Sequence, residues 1–144
     1  MPRPIILSWP AAVLFLVVTC LAPALVAQPG IRIDPAKTWV GPARVHLMVT
    51  EVALADGELE GAYSIRVPFL PGKNDRGTLQ LRSARPLDEI QRLGGTLDGT
   101  ARSVSGETRE VVCDVRPDGT MRIDIAMERR TVSFKTRYYL ATGF

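Results

Sequence analysis

Few residues of this chain could carry out acid–base or nucleophilic chemistry. His46 is the only histidine among 144 residues, so a Ser-His-Asp or Cys-His site would have to use it. It lies in the middle of an alternating segment, with Arg44 and Met48 on the same face, and no nucleophile motif accompanies it. We therefore interpret His46 as a structural or surface residue.

The carboxylates could provide an acid–base pair, because two carboxyl groups are the machinery of glycoside hydrolysis. The closest groups are Asp56, Glu58 and Glu60 around one turn, and the pair Asp88 and Glu89. A structural role explains both groups: the first fits a turn and the solvent face of a strand, and the second favours the first turn of a helix. We therefore predict that the protein is not an enzyme, and a hydrolase is the least favoured function.

Metal and cofactor motifs are also scarce. A zinc site takes about four His, Cys or carboxylate ligands, and besides its carboxylates the chain offers only His46 and Cys113 once Cys20 of the apolar N-terminal run is set aside. Asn74 and Asp75 could bind calcium from a loop, but two residues supply far fewer than the roughly six to eight oxygens that calcium takes. The sequence contains no phosphate loop and no dinucleotide-binding motif. We expect no cofactor and no metal.

Six arginines on the predicted strands form a candidate group for binding. They are Arg66, Arg82, Arg102, Arg109, Arg122 and Arg137. If several line one side of a sheet, they could bind an anionic group, with Arg66, Arg122 and Arg137 as the candidate contacts. The alternative is pairing with acidic residues of neighbouring strands on a solvated face. The net charge is only +3 and no block of like charge occurs, so we expect no nucleic-acid partner.

The chain begins with the pattern of a secretory signal peptide. Arg3 provides a short positive start, residues 11–21 form an apolar run, and small residues follow. Cleavage is predicted after Ala24 or Ala27, and cleavage after Ala27 would remove residues 1–27. An uncleaved membrane anchor is the alternative, which the prolines on either side of the run disfavour. We expect a secreted or periplasmic protein with no stable membrane span after cleavage.

The two cysteines point to the same compartment. Cys20 falls within the predicted signal peptide, so the mature chain would keep Cys113 alone and form no internal disulfide. The lack of a disulfide suits a bacterial cell envelope better than a eukaryotic extracellular space, and the arginine-rich, lysine-poor composition is typical of a GC-rich genome. Thr19 is a poor residue before a modified cysteine, so lipoprotein attachment through Cys20 is not expected. Cys113 is predicted to be a buried thiol, with intermolecular pairing as the alternative.

The elements that must position these residues are β-strands. In residues 108–139, Met121, Ile123, Ile125 and Met127 alternate with mostly charged residues, which is the period of a strand with one apolar face. A Pro-Asp-Gly turn precedes this strand, and similar alternation occurs upstream and downstream. The pattern predicts a three-stranded meander that needs the rest of the chain to complete its core.

The preceding chain continues the pattern. Strands are predicted over residues 43–54, 59–69 and 78–83, and a short helix over residues 86–93, where apolar residues recur every three positions. Residues 96–103 are either a strand bent at Gly99 or a small hairpin that turns at Asp98–Gly99. Residues 28–42 contain several Pro and Gly residues and are predicted to be an irregular lead-in, with Ile31–Ile33 as the candidate for a short edge strand and Trp39 anchored against the domain.

We therefore predict an all-β fold: a single small antiparallel β-barrel of seven to eight strands with one short helix, formed by residues 43–144. A β-sandwich is the alternative. The favoured function is a non-catalytic interaction or structural module of the cell envelope, with an unknown envelope protein as partner. The alternative is a calycin-like barrel that binds a small apolar or amphipathic ligand. Its lining residues would be Tyr63, Ile65, Val67, Phe134 and Tyr138.

Overall fold

The structure is a computed structural model that describes residues 29–55 and 57–141. The strands are β1 Gly30–Ile33, β2 Ala36–Val40, β3 Ala43–Val49, β4 Val52–Ala55, β5 Glu58–Arg66, β6 Asp75–Ser83, β7 Gly95–Ser103, β8 Thr108–Val115, β9 Thr120–Ala126 and β10 Thr131–Ala141. A helix, α1, spans Leu87–Leu93, and a 3-10 turn spans Pro71–Lys73. The predicted signal peptide, with Cys20, Ala24 and Ala27, lies outside the described residues.

The strands form one closed antiparallel barrel. Each strand from β5 to β10 pairs with the next, β10 pairs with β1, and β1 leads through β4 back to β5. The first four strands form a single long hairpin, with β1 and β2 as one arm and β3 and β4 as the other. The pairing register is the same throughout, because Gly30 pairs with Ala53 and Ala36 pairs with Leu47. Counted this way, the wall has eight strands. The predicted β-barrel with one short helix is confirmed, and the β-sandwich alternative is wrong.

The hairpin is interrupted at a β-bulge. Val49 pairs with Tyr63 and Ala53 pairs with Glu60, so four steps along one strand face only three along the other. Thr50 fills the break, because its N–H donates to the Ala62 carbonyl at 2.8 Å and its Oγ1 accepts from the Ala62 N–H at 2.9 Å. Next to the bulge, residues 32–35 and 48–51 separate and leave a slit of about 620 Å³ in the wall.

The predicted irregular lead-in contains two strands: β1 includes the candidate edge strand Ile31–Ile33, although it pairs on both sides, and β2 is not predicted by the sequence pattern. The prediction of an irregular segment is wrong here because Pro29, Pro35, Gly41 and Pro42 lie outside the two strands, and Gly30, the one glycine within a strand, pairs with both Ala141 and Ala53. Pro35 falls at the break between β1 and β2, and Gly41 turns the chain into β3 with a φ of 59°. This segment closes the barrel, since β1 joins β10 to β4.

Apolar side chains of alternate residues fill the lumen of the barrel. The most deeply buried include Leu47, Leu59, Leu81, Leu97, Met121 and Phe134, each no more than 2% exposed. Burial of a side chain of this size contributes about 1.5–3 kcal/mol to stability, so the filled lumen is the main stabilising feature of the fold. This packing confirms the apolar faces predicted from the alternation of residues in β8, β9 and β10.

Of the two structures predicted for residues 96–103, the strand is confirmed and the small hairpin is wrong. The segment is one continuous strand, β7, and a Cβ added at Gly99 would overlap the backbone of Gln80 on β6. Gly77 of β6 is equally constrained by the carbonyl of Arg102. Both glycines therefore allow neighbouring strands to approach closely where the sheet bends.

The two ends of the barrel differ. The β2–β3, β5–β6, β7–β8 and β9–β10 connections lie at one end, which we call the loop end. The β4–β5, β6–β7 and β8–β9 connections lie at the other, where α1 begins after Pro86 and ends at Gly94, with a φ of 78°. Ile90 of α1 is buried against Gly95, so the helix covers this end. No helix within residues 29–55 and 57–141 is long and apolar enough to cross a membrane.

Candidate functional site

A polar network lies at the loop end, where the apolar rows of the lumen stop. Asp75 occupies the position that continues the row of Leu79 and Leu81 in β6, and Arg109 continues the row of Val111 in β8. Strand geometry therefore directs both charged side chains toward the interior. Their depth is limited, with side-chain exposures of 16% for Asp75 and 22% for Arg109.

The Asp75 carboxylate accepts three side-chain donors. The Tyr63 hydroxyl donates at 3.0 Å, the Ser103 hydroxyl at 2.5 Å and the Arg109 guanidinium at 2.5 Å. Arg109 also donates to Glu107 at 2.8 Å. Within the described part of the chain, every buried side-chain nitrogen or oxygen has a hydrogen-bond partner, so the network is fully satisfied.

The network shifts the pKa values of its acidic members in opposite directions. Burial by itself would raise the pKa of Asp75, but the hydrogen bonds from Ser103, Tyr63 and Arg109 and the charge of Arg109 outweigh it and lower that pKa. Burial, followed by the hydrogen bond to Asp75, raises the pKa of Tyr63 to about 12. At neutral pH the Asp75 carboxylate is therefore ionised and the Tyr63 hydroxyl is protonated, and we call this hydrogen-bonded network at the mouth of the lumen the polar seal.

Two depressions flank this seal. The first is an apolar groove of about 400 Å³, whose lining includes Val40, Val67, Leu70 and Met127. The second is a polar depression of about 770 Å³, whose lining includes Lys73, Asn74, Arg76, Ser105 and Glu128. Asp75 and Arg109 border both. The loop end thus places an apolar surface and a polar surface on either side of one ion pair.

Large apolar side chains project from the same end. Phe69 is 100% exposed, Val104 is 72% exposed, Trp39 is 65% exposed and Leu70 is 49% exposed. We call these four residues the apolar rim. The prediction that Trp39 is anchored against the domain is wrong, because the side chain of Trp39 is 65% exposed and points outward from β2, with the Arg44 guanidinium 5.7 Å from the ring centroid.

Phe69 has an unfavourable backbone conformation as well as an unfavourable environment. The Leu70 N–H donates to the Val67 carbonyl at 3.1 Å, which closes a turn with Pro68 second and Phe69 third. The φ of Phe69 is 66°, as in the third position of a type II turn, where glycine is usual. The turn is held by a second contact, because the Val67 N–H donates to the Asn74 side chain at 2.8 Å.

The residues around the apolar rim are mainly basic. Exposed cations at the loop end are Arg44, Lys73, Arg76, Arg129 and Arg130. Among the nearby acids, Asp75 and Glu107 pair with Arg109, and Glu128 is exposed. The loop end therefore presents a positive surface with protruding apolar side chains. At the α1 end, by contrast, basic and acidic residues such as Arg92 and Glu89 are mixed.

The five predicted ligand-lining residues all face the lumen but do not surround one cavity. Tyr63, Ile65 and Val67 follow one another along the loop-end half of the barrel, and Phe134 is completely buried. Tyr138 lies toward the α1 end, where its hydroxyl donates to the Arg116 carbonyl at 2.7 Å. Ile65 and Val67 also line the apolar groove.

The three predicted anion contacts are exposed on the outer wall and do not converge. Arg66 lies on β5, whereas Arg122 and Arg137 lie on β9 and β10 on the other side of the barrel. Arg122 forms an ion pair with Asp124 of its own strand at 2.9 Å. The pairing between neighbouring strands that the alternative interpretation predicted occurs elsewhere on the outer wall, where Arg82 of β6 pairs with Glu58 of β5 at 2.9 Å.

The remaining candidates are structural in their placement. His46 is half-buried on the outer face of β3, and Cys113 is a completely buried free thiol whose pKa is raised to about 12 by burial and by the charge of Asp124. Within residues 29–55 and 57–141, no cluster of three or more His, Cys, Asp or Glu residues could hold a metal ion.

Sequence reasoning missed the role of Asp75 and Arg109. The loop predicted for Asp75 is wrong, because the residue begins β6. Neither interpretation of Arg109, as an anion contact or as a pairing partner on a solvated face, places its side chain inward, yet both residues continue the period-two rows of their strands. Extending the period-two alternation by one more step, from Val111 back to Arg109, identifies the inward orientation of the arginine. The unusual turn at Phe69 has only a weak sequence signal, namely the preceding Pro68.

Comparisons with known proteins identify no relative. No family model matches the chain, and searches of curated proteins and of solved structures give no significant match. The fold and the surface of the barrel therefore carry the functional argument.

Proposed function

We propose that this chain is a non-catalytic interaction module of the cell envelope that makes its contacts through the loop end. The observation that carries the proposal is the apolar rim, because four large apolar side chains project from one end of a barrel whose lumen is already filled. Exposed apolar residues gathered at one place are typical of an interaction site. The envelope is proposed from the signal-peptide pattern of residues 1–27.

The backbone at Phe69 adds support. A fully exposed phenylalanine with a φ of 66° destabilises its turn relative to glycine, and it contributes no packing to the barrel. Costs of this kind are expected where a residue is retained for a contact outside the fold. The same residue therefore gives the most direct test of the proposal.

Fractionation of cells of the native host provides the experiment. Wild-type protein is expected to be recovered with the envelope fraction, and Phe69→Gly is expected to shift toward the soluble periplasmic or secreted fraction. Met48→Ser serves as the matched control, because Met48 is 60% exposed but lies on the outer wall. Retention of Phe69→Gly in the envelope at the wild-type level would contradict the proposal.

The second candidate function is the binding of a small amphipathic ligand, and the apolar groove favours it. Ile65 and Val67 line this groove beside the ion pair of Asp75 and Arg109, so an apolar body and a polar head would both find contacts. Native mass spectrometry of protein purified from its own envelope would detect such a ligand as an adduct that organic extraction removes. A clean monomer mass would remove this candidate.

A further inference from the structure

We propose that the loop end docks on an anionic lipid bilayer, with Phe69 and Leu70 inserted among the lipids and the surrounding basic residues on the headgroups. This inference rests on the proposed contact through the loop end and names the partner. It is carried by three features of that end: the shape of the apolar rim, the sign of its charge and the geometry of the Phe69 turn.

Three residues of the apolar rim lie in loops, and the fourth lies on the outer face of a strand beside a turn. Phe69 and Leu70 lie in the β5–β6 connection, Val104 lies in the β7–β8 connection, and Trp39 lies beside the β2–β3 turn. Protruding tips fit a fluid layer that closes around each side chain, whereas a protein partner would need a matching pocket for each one. Trp39 beneath Arg44 also has the character of an interfacial residue, with an apolar ring next to a cation.

The charge of the loop end is complementary to anionic headgroups. Lys73 lies in the same connection as Phe69, and Arg129 and Arg130 lie in the β9–β10 connection across the apolar groove. Each basic residue near an anionic bilayer strengthens binding by roughly fivefold. The apolar side chains and the cations would therefore act on the same surface, as in peripheral membrane proteins.

The turn geometry explains why phenylalanine occupies a position that suits glycine. The tight turn closed by Val67 and Leu70 places the Phe69 side chain at the outermost point of the connection, where it is completely exposed. A short turn backed by Asn74 loses little further conformational freedom when it inserts. The exposed Phe69 side chain, which is unfavourable in water, would thus be the first group to enter a bilayer.

Vesicle binding tests the proposal directly. Residues 30–141 close the sheet and supply the core described above, so the barrel is produced from Gln28 onward. This also removes the apolar N-terminal segment, which would itself bind lipid, and leaves Trp39 as the only tryptophan. Co-sedimentation is measured with vesicles of phosphatidylcholine and with an equal mixture of phosphatidylcholine and phosphatidylglycerol. Trp39 fluorescence is recorded in parallel.

We expect binding to the mixed vesicles, a blue shift of Trp39 emission, and much weaker binding to phosphatidylcholine alone. Phe69→Gly should weaken binding at least about tenfold, because a phenylalanine side chain no longer leaves water. The double substitution Arg129→Gln and Arg130→Gln should weaken it by roughly fivefold for each charge. Leu93→Ser, which alters an exposed apolar residue at the α1 end, should bind as the wild type does.

The Phe69→Gly variant also excludes unfolding as an explanation. Glycine is favoured at the left-handed position, so the midpoint of urea unfolding should be unchanged or higher while vesicle binding falls. Equal binding of the wild-type protein to both vesicle compositions, or undiminished binding of Phe69→Gly, would overturn the membrane proposal. If vesicles fail to bind while envelope recovery still depends on Phe69, the contact surface stands and its partner is a protein.

Discussion

Replacement of Arg109 by methionine tests whether the polar network seals the barrel. Methionine keeps an unbranched side chain but removes the charge, so the Asp75 carboxylate would retain only the neutral donors Tyr63 and Ser103. Breaking a fully buried ion pair costs about 3–5 kcal/mol, whereas an exposed pair contributes less than about 1 kcal/mol. With side chains 22% and 16% exposed, the Arg109–Asp75 pair lies between these limits, and we expect a loss of about 2 kcal/mol.

The assay is urea unfolding at neutral pH, with the variant Arg82→Met as the matched control. Arg82 also pairs with a carboxylate, Glu58, at 2.9 Å, but its side chain is 75% exposed on the outer wall. For a barrel of this size, the loss at Arg109 should lower the unfolding midpoint by about 1 M, while the control should scarcely move. Equal shifts for the two variants would refute the argument that inward orientation gives the Arg109 pair its strength.

The pH dependence provides a second check on the same pair. The folded-state pKa of Asp75 is below its ordinary value of about 3.9, so the stabilisation is fully present above that value and is lost as the pH falls through the lowered pKa. The difference in stability between wild type and Arg109→Met should therefore be constant from pH 7 to about pH 5 and shrink below about pH 4. A difference that does not change with acidification would mean that the carboxylate charge is not involved.

Three further predictions concern the wall and the lumen. Ile123→Asp should reduce the free energy of unfolding by more than about 4 kcal/mol because it buries a charge in the filled lumen. Arg122→Asp on the outer wall should change the urea midpoint little. Equal losses for the two variants would contradict the assigned faces. Gly99→Ala should lower the free energy of unfolding by at least about 2 kcal/mol, because the added Cβ would overlap the backbone of Gln80. Gly72→Ala, where the space is open, should leave the free energy of unfolding unchanged in the same denaturation assay. Cys113 should react with a thiol reagent only as fast as the barrel unfolds, so rapid labelling of the native protein would show that the thiol is accessible.

The local features of the fold could be predicted from the sequence because they depend on neighbouring residues. The alternation around Ile123 and Ile125 assigned the strand and its buried face, and the Asp118–Gly119 turn joined it to the preceding strand. The short helix was also correctly located, since Pro86 and Gly94 mark its two ends. These conclusions needed no knowledge of distant contacts.

The closure of the barrel could not be derived from local patterns, because it depends on pairing between segments far apart in the chain. Ile33 pairs with Tyr138, and this contact turns residues 30–40 from an apparently irregular lead-in into part of the wall. Single-strand alternation carries no information about the neighbour of a strand, so a barrel and a sandwich share the same local pattern.

The candidate site also depends in part on local sequence and in part on the tertiary structure. The sequence by itself determined which residues alternate with the apolar rows, and in that sense it already contained the inward orientation of Asp75 and Arg109. Only the tertiary structure decided that their strands meet Ser103 and Tyr63 at one end of the barrel, so that charges 34 positions apart form one network. It also decided that Phe69 and Trp39 project from that same end, because exposure depends on how the sheet closes and not on residue type.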